Sequence, residues 1–286
     1  MARNRAIVLL WACLALLGSL RADDLRLVVI GDTQPTFWKR SYRVFEKQIE
    51  QINALKPDIV VNLGDQIYGY GLSNTEKEWE RYDLLVKRIR APYYRVPGNH
   101  DVYGRKSERL YLKRYGRPFY SVDVKGFHLI FLDTMENGVW GKIGPVQLGW
   151  LKKDLASQSG RKILVFTHVP VWFPKARHVK PIWRESWMRM IQPLLRNSRV
   201  MGVFAGHFHR FGPNLKIGRV QYYITGGGGG RLSGGYARAG GTHHFVLATA
   251  SDAGLDIKVV TPDGILSEED ADVVRKKSSA SRPPAS

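Results

Sequence analysis

Hydrophobic and polar positions follow two periods along this chain. Short runs rich in Val, Ile and Phe occur at LRLVVIGD, PDIVVNLGD, YYRVPGNHD, KILVFTH and VMGVFAGHFH. They end at Asp32, at Asp65, at Asn99 with His100, at His168, and at His207 with His209. Their length and β-branched content predict buried strands. Between them the spacing turns helical. Residues 38–55 place Phe45, Ile49, Ile52 and Leu55 on one face before Pro57, and residues 75–90 place Trp79, Tyr82, Val86 and Ile89 on one face before Pro92. A third helix is predicted over 145–155, with Pro145 in its first turn, and a fourth over 187–195. Further strands are predicted over 119–124, 127–133, 220–225 and 244–249. Strands alternating with helices, then closely spaced strands, predict an α/β fold with a layered sheet core. With no repeat and no linker, residues 23–266 read as one domain.

In an open α/β sheet, ligands bind outside the carboxyl ends of the strands. Five strand ends carrying Asp, Asn and His therefore predict one site. Taken singly, Gly-Asp after a strand is a turn and a lone His is a core or surface residue; five together point to a metal. Carboxylates with imidazoles suit divalent and trivalent transition metals. Two metals sharing a site need a bridging carboxylate and a ligand set on each side. His207 and His209 are two residues apart, so an extended backbone would turn both to one side, each reaching a different metal.

Composition adds an address. Arg3 and Arg5 precede an apolar stretch, then Gly18, Ser19 and Ala22, which predicts a secretory signal over residues 1–22. The stretch is short of the roughly 20 apolar residues a membrane span needs, so the mature chain is expected to carry no transmembrane segment. A secreted or periplasmic protein is expected, with an acylated Cys13 and membrane-anchored lipoprotein as the alternative. Cys13 is the single cysteine, so any metal must be held by oxygen and nitrogen donors. The net charge of +19 favours anionic partners: phosphorylated substrates, nucleic acid or anionic lipid head groups. The basic residues are scattered without a nucleic-acid-binding signature, so no specific nucleic-acid binding is expected. The polar, Ser/Pro-ending segment 267–286 is expected to be disordered.

The ordered motifs GD at Asp32, GDQIY at Asp65, GNHD at Asn99, TH at His168 and GHFH at His207 resemble those of the calcineurin-like metallophosphoesterases. The resemblance implies a four-layer α-β-β-α sandwich and a metal-dependent phosphoric ester hydrolase. It implies that Asp65 bridges two metals, that Asp32 and His209 hold the first, and that Asn99, His168 and His207 hold the second. A metal-bridging hydroxide would attack phosphorus in line, with His100 as general acid or stabilising cation and Asp101 orienting His100. Many members carry Asp-x-His at the first motif, whereas here Gln34 stands two residues after Asp32. Tyr68, three residues after Asp65, makes the chain similar to the purple acid phosphatase, or tartrate-resistant acid phosphatase-like, branch. There such a Tyr binds ferric iron. That implies Fe3+ with Fe2+, Zn2+ or Mn2+ if Tyr68 is a ligand, and Mn2+ or Zn2+ otherwise.

Two further residues are expected at the substrate. The basic, aromatic loop 171–183 would form a wall carrying His178, and Arg231 follows the glycine run 226–230. That run lacks the Gly-Lys-Ser/Thr of a phosphate loop and is expected to permit close backbone approach.

Overall fold

The computed structural model describes residues 23–36, 41–70, 75–158, 160–174, 179–212, 214–232 and 241–271. Two six-stranded mixed sheets make the frame. The first has β1 (Leu25–Ile30), β2 (Ile59–Asn62) and β3 (Tyr93–Arg95) in parallel, continued on the other side of β1 by antiparallel β10 (Phe245–Ser251), β11 (Gly254–Thr261) and β12 (Gly264–Ser267). The second has β5 (Phe127–Phe131), β6 (Lys162–Thr167), β7 (Val200–Ala205) and β9 (Val220–Ile224) in parallel. It is edged by antiparallel β4 (Tyr120–Val124) and β8 (Leu215–Ile217).

Side-chain alternation sorts the core into layers. Leu25, Leu27 and Val29 of β1 pack with Ile59 and Val61 of β2 against Leu129, Phe131, Leu164, Phe166 and Phe204 of the second sheet. The intervening Val28 and Ile30 face outward with Val60, onto Phe45, Ile49 and Ile52 of helix α1 (Arg43–Leu55) and Tyr82 of α2 (Thr75–Val86). On the far side Ile130, Ile163 and Val165 meet Leu151 and Leu155 of α4 (Pro145–Ser157), together with Trp187 and Leu195. The stack is the four-layer α-β-β-α sandwich. Because both faces of the central strands are covered, they read as nearly continuous apolar runs.

Several elements differ from expectation. The second helix stops at Val86, short of residue 90, and the fourth begins earlier, as Pro181–Ser186, a π-turn over Trp187–Ile191, and Gln192–Asn197. Helix α3 (Arg105–Tyr115) has no counterpart in the hydrophobic pattern, since it buries only Ser107 and Tyr111. The domain also extends past 266. Ser267 ends β12, and its hydroxyl accepts the amide hydrogen of Asp270 at 3.0 Å, capping a helical turn that runs to 271. The expected leader, 1–22, and the remainder of the tail lie outside the described residues. Among the described residues no helix is long and apolar enough to cross a membrane.

Candidate metal centre

Parallel register brings the expected donors to one edge. Ile30 pairs with Asn62 and Asn62 with Arg95, so Asp32, Asp65 and Asn99 leave the first sheet side by side. Thr167 pairs with Ala205, which does the same for His168 and His207 in the second sheet. The two edges are stitched together across the sandwich. The Asp32 carboxylate accepts the His207 amide hydrogen, at 3.0 and 2.9 Å to its two oxygens, and His168 Nδ1 lies 2.8 Å from the Leu63 carbonyl oxygen.

Four of the donors sit on left-handed backbone: Asp32 (φ 58°), Asp65 (54°), His207 (71°) and His209 (43°). Such conformations cost about 1–3 kcal/mol each and concentrate at functional sites. They also correct the expected geometry of GHFH. The histidines are not on an extended segment; the turn sends His207 toward Asp65 and His168, and His209 toward Asp32 and Asp65. Glycine is required where the walls close in. A Cβ at Gly98 would overlap the Asp65 carboxylate, and one at Gly226 would overlap that of Asp32.

The donors form two triads, Asp65–His168–His207 and Asp32–Asp65–His209, with ligand atoms within 4.8 Å of one another in each. Asp65 belongs to both. His168 gives its Nδ1 hydrogen to Leu63, so Nε2 presents a lone pair. Around that atom stand Asn99 Oδ1 at 3.1 Å, His207 Nδ1 at 3.2 Å and Asp65 Oδ1 at 3.4 Å. Four acceptor-type atoms converging in a buried space suit a cation. In the other triad His209 Nδ1 faces the Arg231 carbonyl oxygen at 2.6 Å, turning Nε2 to Asp32 Oδ1 at 3.2 Å. Burial alone would lower the His209 pKa, but the Asp32 carboxylate lifts it to about 9. Burial would likewise raise the Asp65 carboxyl, yet the imidazoles of His168 and His100 hold it below its ordinary value. The residues thus fit a pair of metal ions, all through oxygen and nitrogen donors.

His100 stands beside the shared Asp65. Its amide hydrogen is accepted by Asp65 Oδ1 at 2.8 Å, Nδ1 lies 2.5 Å from the Tyr68 carbonyl oxygen, and Nε2 lies 4.0 Å from Asp65 Oδ2. The expectation that Asp101 orients His100 is corrected. Asp101 Oδ2 accepts from Gly98 N at 2.9 Å and Oδ1 from Gln66 N at 2.8 Å, so it braces the two ligand-bearing loops. Burial and the nearby Asp65 raise its pKa to about 6.

The remaining expected residues fall as follows. The Tyr68 ring stands edge-on to His100 with centroids 5.6 Å apart. Gln34 occupies the flank of the Asp32–Asp65–His209 triad: its Nε2 is 3.2 Å from His209 Nε2 and 3.4 Å from Asp65 Oδ2. Arg231 is exposed, and its contact with the site runs through its carbonyl oxygen on His209. His178 lies outside the described residues. Sequence reasoning missed Tyr70, whose hydroxyl accepts the Asn99 Nδ2 hydrogen at 2.7 Å, and Trp140, whose ring is edge-on to His207 at 5.0 Å. Neither stands at a strand end, where the sequence signal was.

Comparison with known proteins gives the class of this site. The calcineurin-like phosphoesterase family model matches residues 25–211, and the chain belongs to that family. The chain is thus a metal-dependent phosphoric ester hydrolase by family, and its two triads are groups that could hold metal. Within the family it is similar to tartrate-resistant acid phosphatase type 5 of Homo sapiens, 26% identical over 240 residues, covering 71% of this chain and 73% of that one. A probable glycerophosphodiester phosphodiesterase of Arcobacter nitrofigilis is 30% identical over 184 residues, covering 58% of this chain and 63% of its own. In fold the chain is similar to a purple acid phosphatase from yellow lupin (Lupinus luteus) seeds, with a TM-score of 0.65 at 18% identity over 86% of this chain. It spans about half (53%) of the lupin chain. It also resembles a dimetal phosphatase from Danio rerio, with a TM-score of 0.63 at 17% identity over 85% of this chain and 98% of that one.

Proposed function

We propose that the chain is an exported phosphatase that hydrolyses small phosphomonoesters with two metal ions held across Asp65. The observation that carries this reading is the sharing of Asp65 between the two donor triads. Asp32 and His209 would complete the first position; Asn99, His168 and His207 would complete the second. A metal pair bound there supplies Lewis acidity toward the phosphoryl group and a water acidic enough to act as a nucleophile near neutral pH.

The chain's own residues supply the rest. The carbonyl oxygens of Leu63 and Arg231 fix the tautomers of His168 and His209 with Nε2 inward. His100 is held by Tyr68 at Nδ1, which leaves Nε2 as the atom that would pass a proton to the departing alkoxide. Export rests on the predicted signal at 1–22, with residues 23–266 as the catalytic domain. Arg231, which is exposed, and His178 are proposed substrate contacts.

The similarity to a probable glycerophosphodiester phosphodiesterase supports a second reading, a diesterase on the same site. Turnover of p-nitrophenyl phosphate against bis(p-nitrophenyl) phosphate separates the two. Strong monoester turnover is expected, and negligible monoester beside strong diester turnover would overturn the first reading.

Tyr68 is proposed as a ferric ligand of the first position, in place of the imidazole that Gln34 lacks. A ferric tyrosinate absorbs visible light. The purified protein should therefore be coloured, and Tyr68→Phe should bleach it; a colourless, active protein holding only zinc or manganese would reject the assignment.

A further inference from the structure

Asn99 and His100 are consecutive, yet the sequence leaves unstated what holds their side chains in place. The Asn99 amide has two ends. Oδ1 faces His168 Nε2 at 3.1 Å, on the inside of the Asp65–His168–His207 triad, and Nδ2 points outward to the Tyr70 hydroxyl at 2.7 Å. The same tyrosine ring packs edge-on against the His100 imidazole with centroids 4.4 Å apart. It is itself braced by Tyr103 at 5.6 Å. Tyr70 stands on left-handed backbone (φ 48°), an uncommon conformation for a tyrosine, and is 40% exposed at the lip of the site. Tyr70 thus touches both consecutive side chains, Asn99 through its hydroxyl and His100 through its ring.

We propose that Tyr70 is a positioning residue for Asn99, its hydroxyl holding the amide with Oδ1 inward as a ligand of the second metal. The inference rests on the two-metal reading. When a side-chain amide gives its N–H to an acceptor, electron density moves onto its carbonyl oxygen, which makes that oxygen a better donor to a cation. The hydrogen bond also fixes the orientation in which oxygen, rather than nitrogen, faces the triad. Partners of metal ligands of this kind change metal affinity by about 10–100-fold when removed.

The test is a double-mutant cycle on the full chain, stripped with a chelator and titrated with Mn2+ by calorimetry. Tyr70→Phe keeps the ring and removes only the hydroxyl. It should weaken the second Mn2+ by about 10–100-fold and leave the first unchanged. Asn99→Asp supplies the opposite background. A carboxylate presents oxygen at either end, so orientation no longer matters, and a tyrosine hydroxyl can only donate to it, withdrawing charge. There Tyr70→Phe should leave second-site affinity unchanged or raise it. A role in packing alone would move both backgrounds equally, and equal losses would overturn the proposal. So would a Tyr70→Phe protein that binds the second Mn2+ as the parent does. If the parent itself binds a single Mn2+, it is the two-metal reading that fails instead.

Discussion

Asp65→Asn is expected to take the protein from two bound metals to at most one and to lower turnover by about 10³-fold or more. The substitution is nearly isosteric, and Asn Oδ1 can still accept the His100 amide hydrogen that Asp65 takes at 2.8 Å. What it removes is the one negative charge that both triads share. Charge stabilisation by bound cations amounts to several kcal/mol of barrier, and each 1.36 kcal/mol is tenfold in rate. The fold should survive, because Asp65 packs at the sheet edges, away from the apolar layer between the sheets, and its loss relieves repulsion on Asp101. Metal analysis after dialysis, with a thermal melt as control, checks this. Retention of two metals at parental affinity would remove Asp65 from the bridging role.

His100→Ala should behave in the opposite manner: both metals stay while kcat falls by about 10²–10⁴-fold, the usual contribution of a positioned acid. The hydrogen bond from His100 to the triads is its backbone N–H on Asp65, which alanine retains, and the substitution removes only the imidazole that lies 4.0 Å from Asp65 Oδ2. The decisive reading is the leaving group. A p-nitrophenolate departs without a proton, whereas an alkoxide needs one. The loss should therefore be much larger for an alkyl phosphate than for p-nitrophenyl phosphate. Equal losses would make the imidazole a stabilising cation rather than a proton donor.

The same residues show how far the chain could be read before its fold was seen. Asp32, Asp65, Asn99, His168, His207 and His209 were legible because each ends an apolar, β-branched run, and parallel pairing aligns such ends. The layered core followed from the same runs. Helix α3 was not legible, because it buries only Ser107 and Tyr111, with Leu110 and Tyr115 partly buried beside them, a weak apolar stripe. The role that the family resemblance implied for Asp101 does not match its hydrogen bonds here. A turn of backbone carries its carboxylate away from His100 and onto the N–H groups of Gly98 and Gln66. Tyr70 reaches Asn99 across 29 positions, through a left-handed residue that no periodicity signals.

Gln34 marks where chemistry, rather than fold, departs from the family pattern. It is buried beside His209 and Asp65, in the flank where an imidazole was expected. A neutral amide there would give the proposed first metal a less basic neighbour than an imidazole. That is why the colour of the protein and the fate of Tyr68→Phe bear on which metal it takes.

The central claim is that two metals share Asp65. Anomalous diffraction from crystals of the metal-loaded protein, recorded at the absorption edges of iron, zinc and manganese, tests it most directly. Two peaks are expected roughly 3.5–4 Å apart, one beside Asp32 and His209 and one beside Asn99, His168 and His207, with the Asp65 carboxylate between them. A single peak, or two peaks that do not share Asp65, would contradict it.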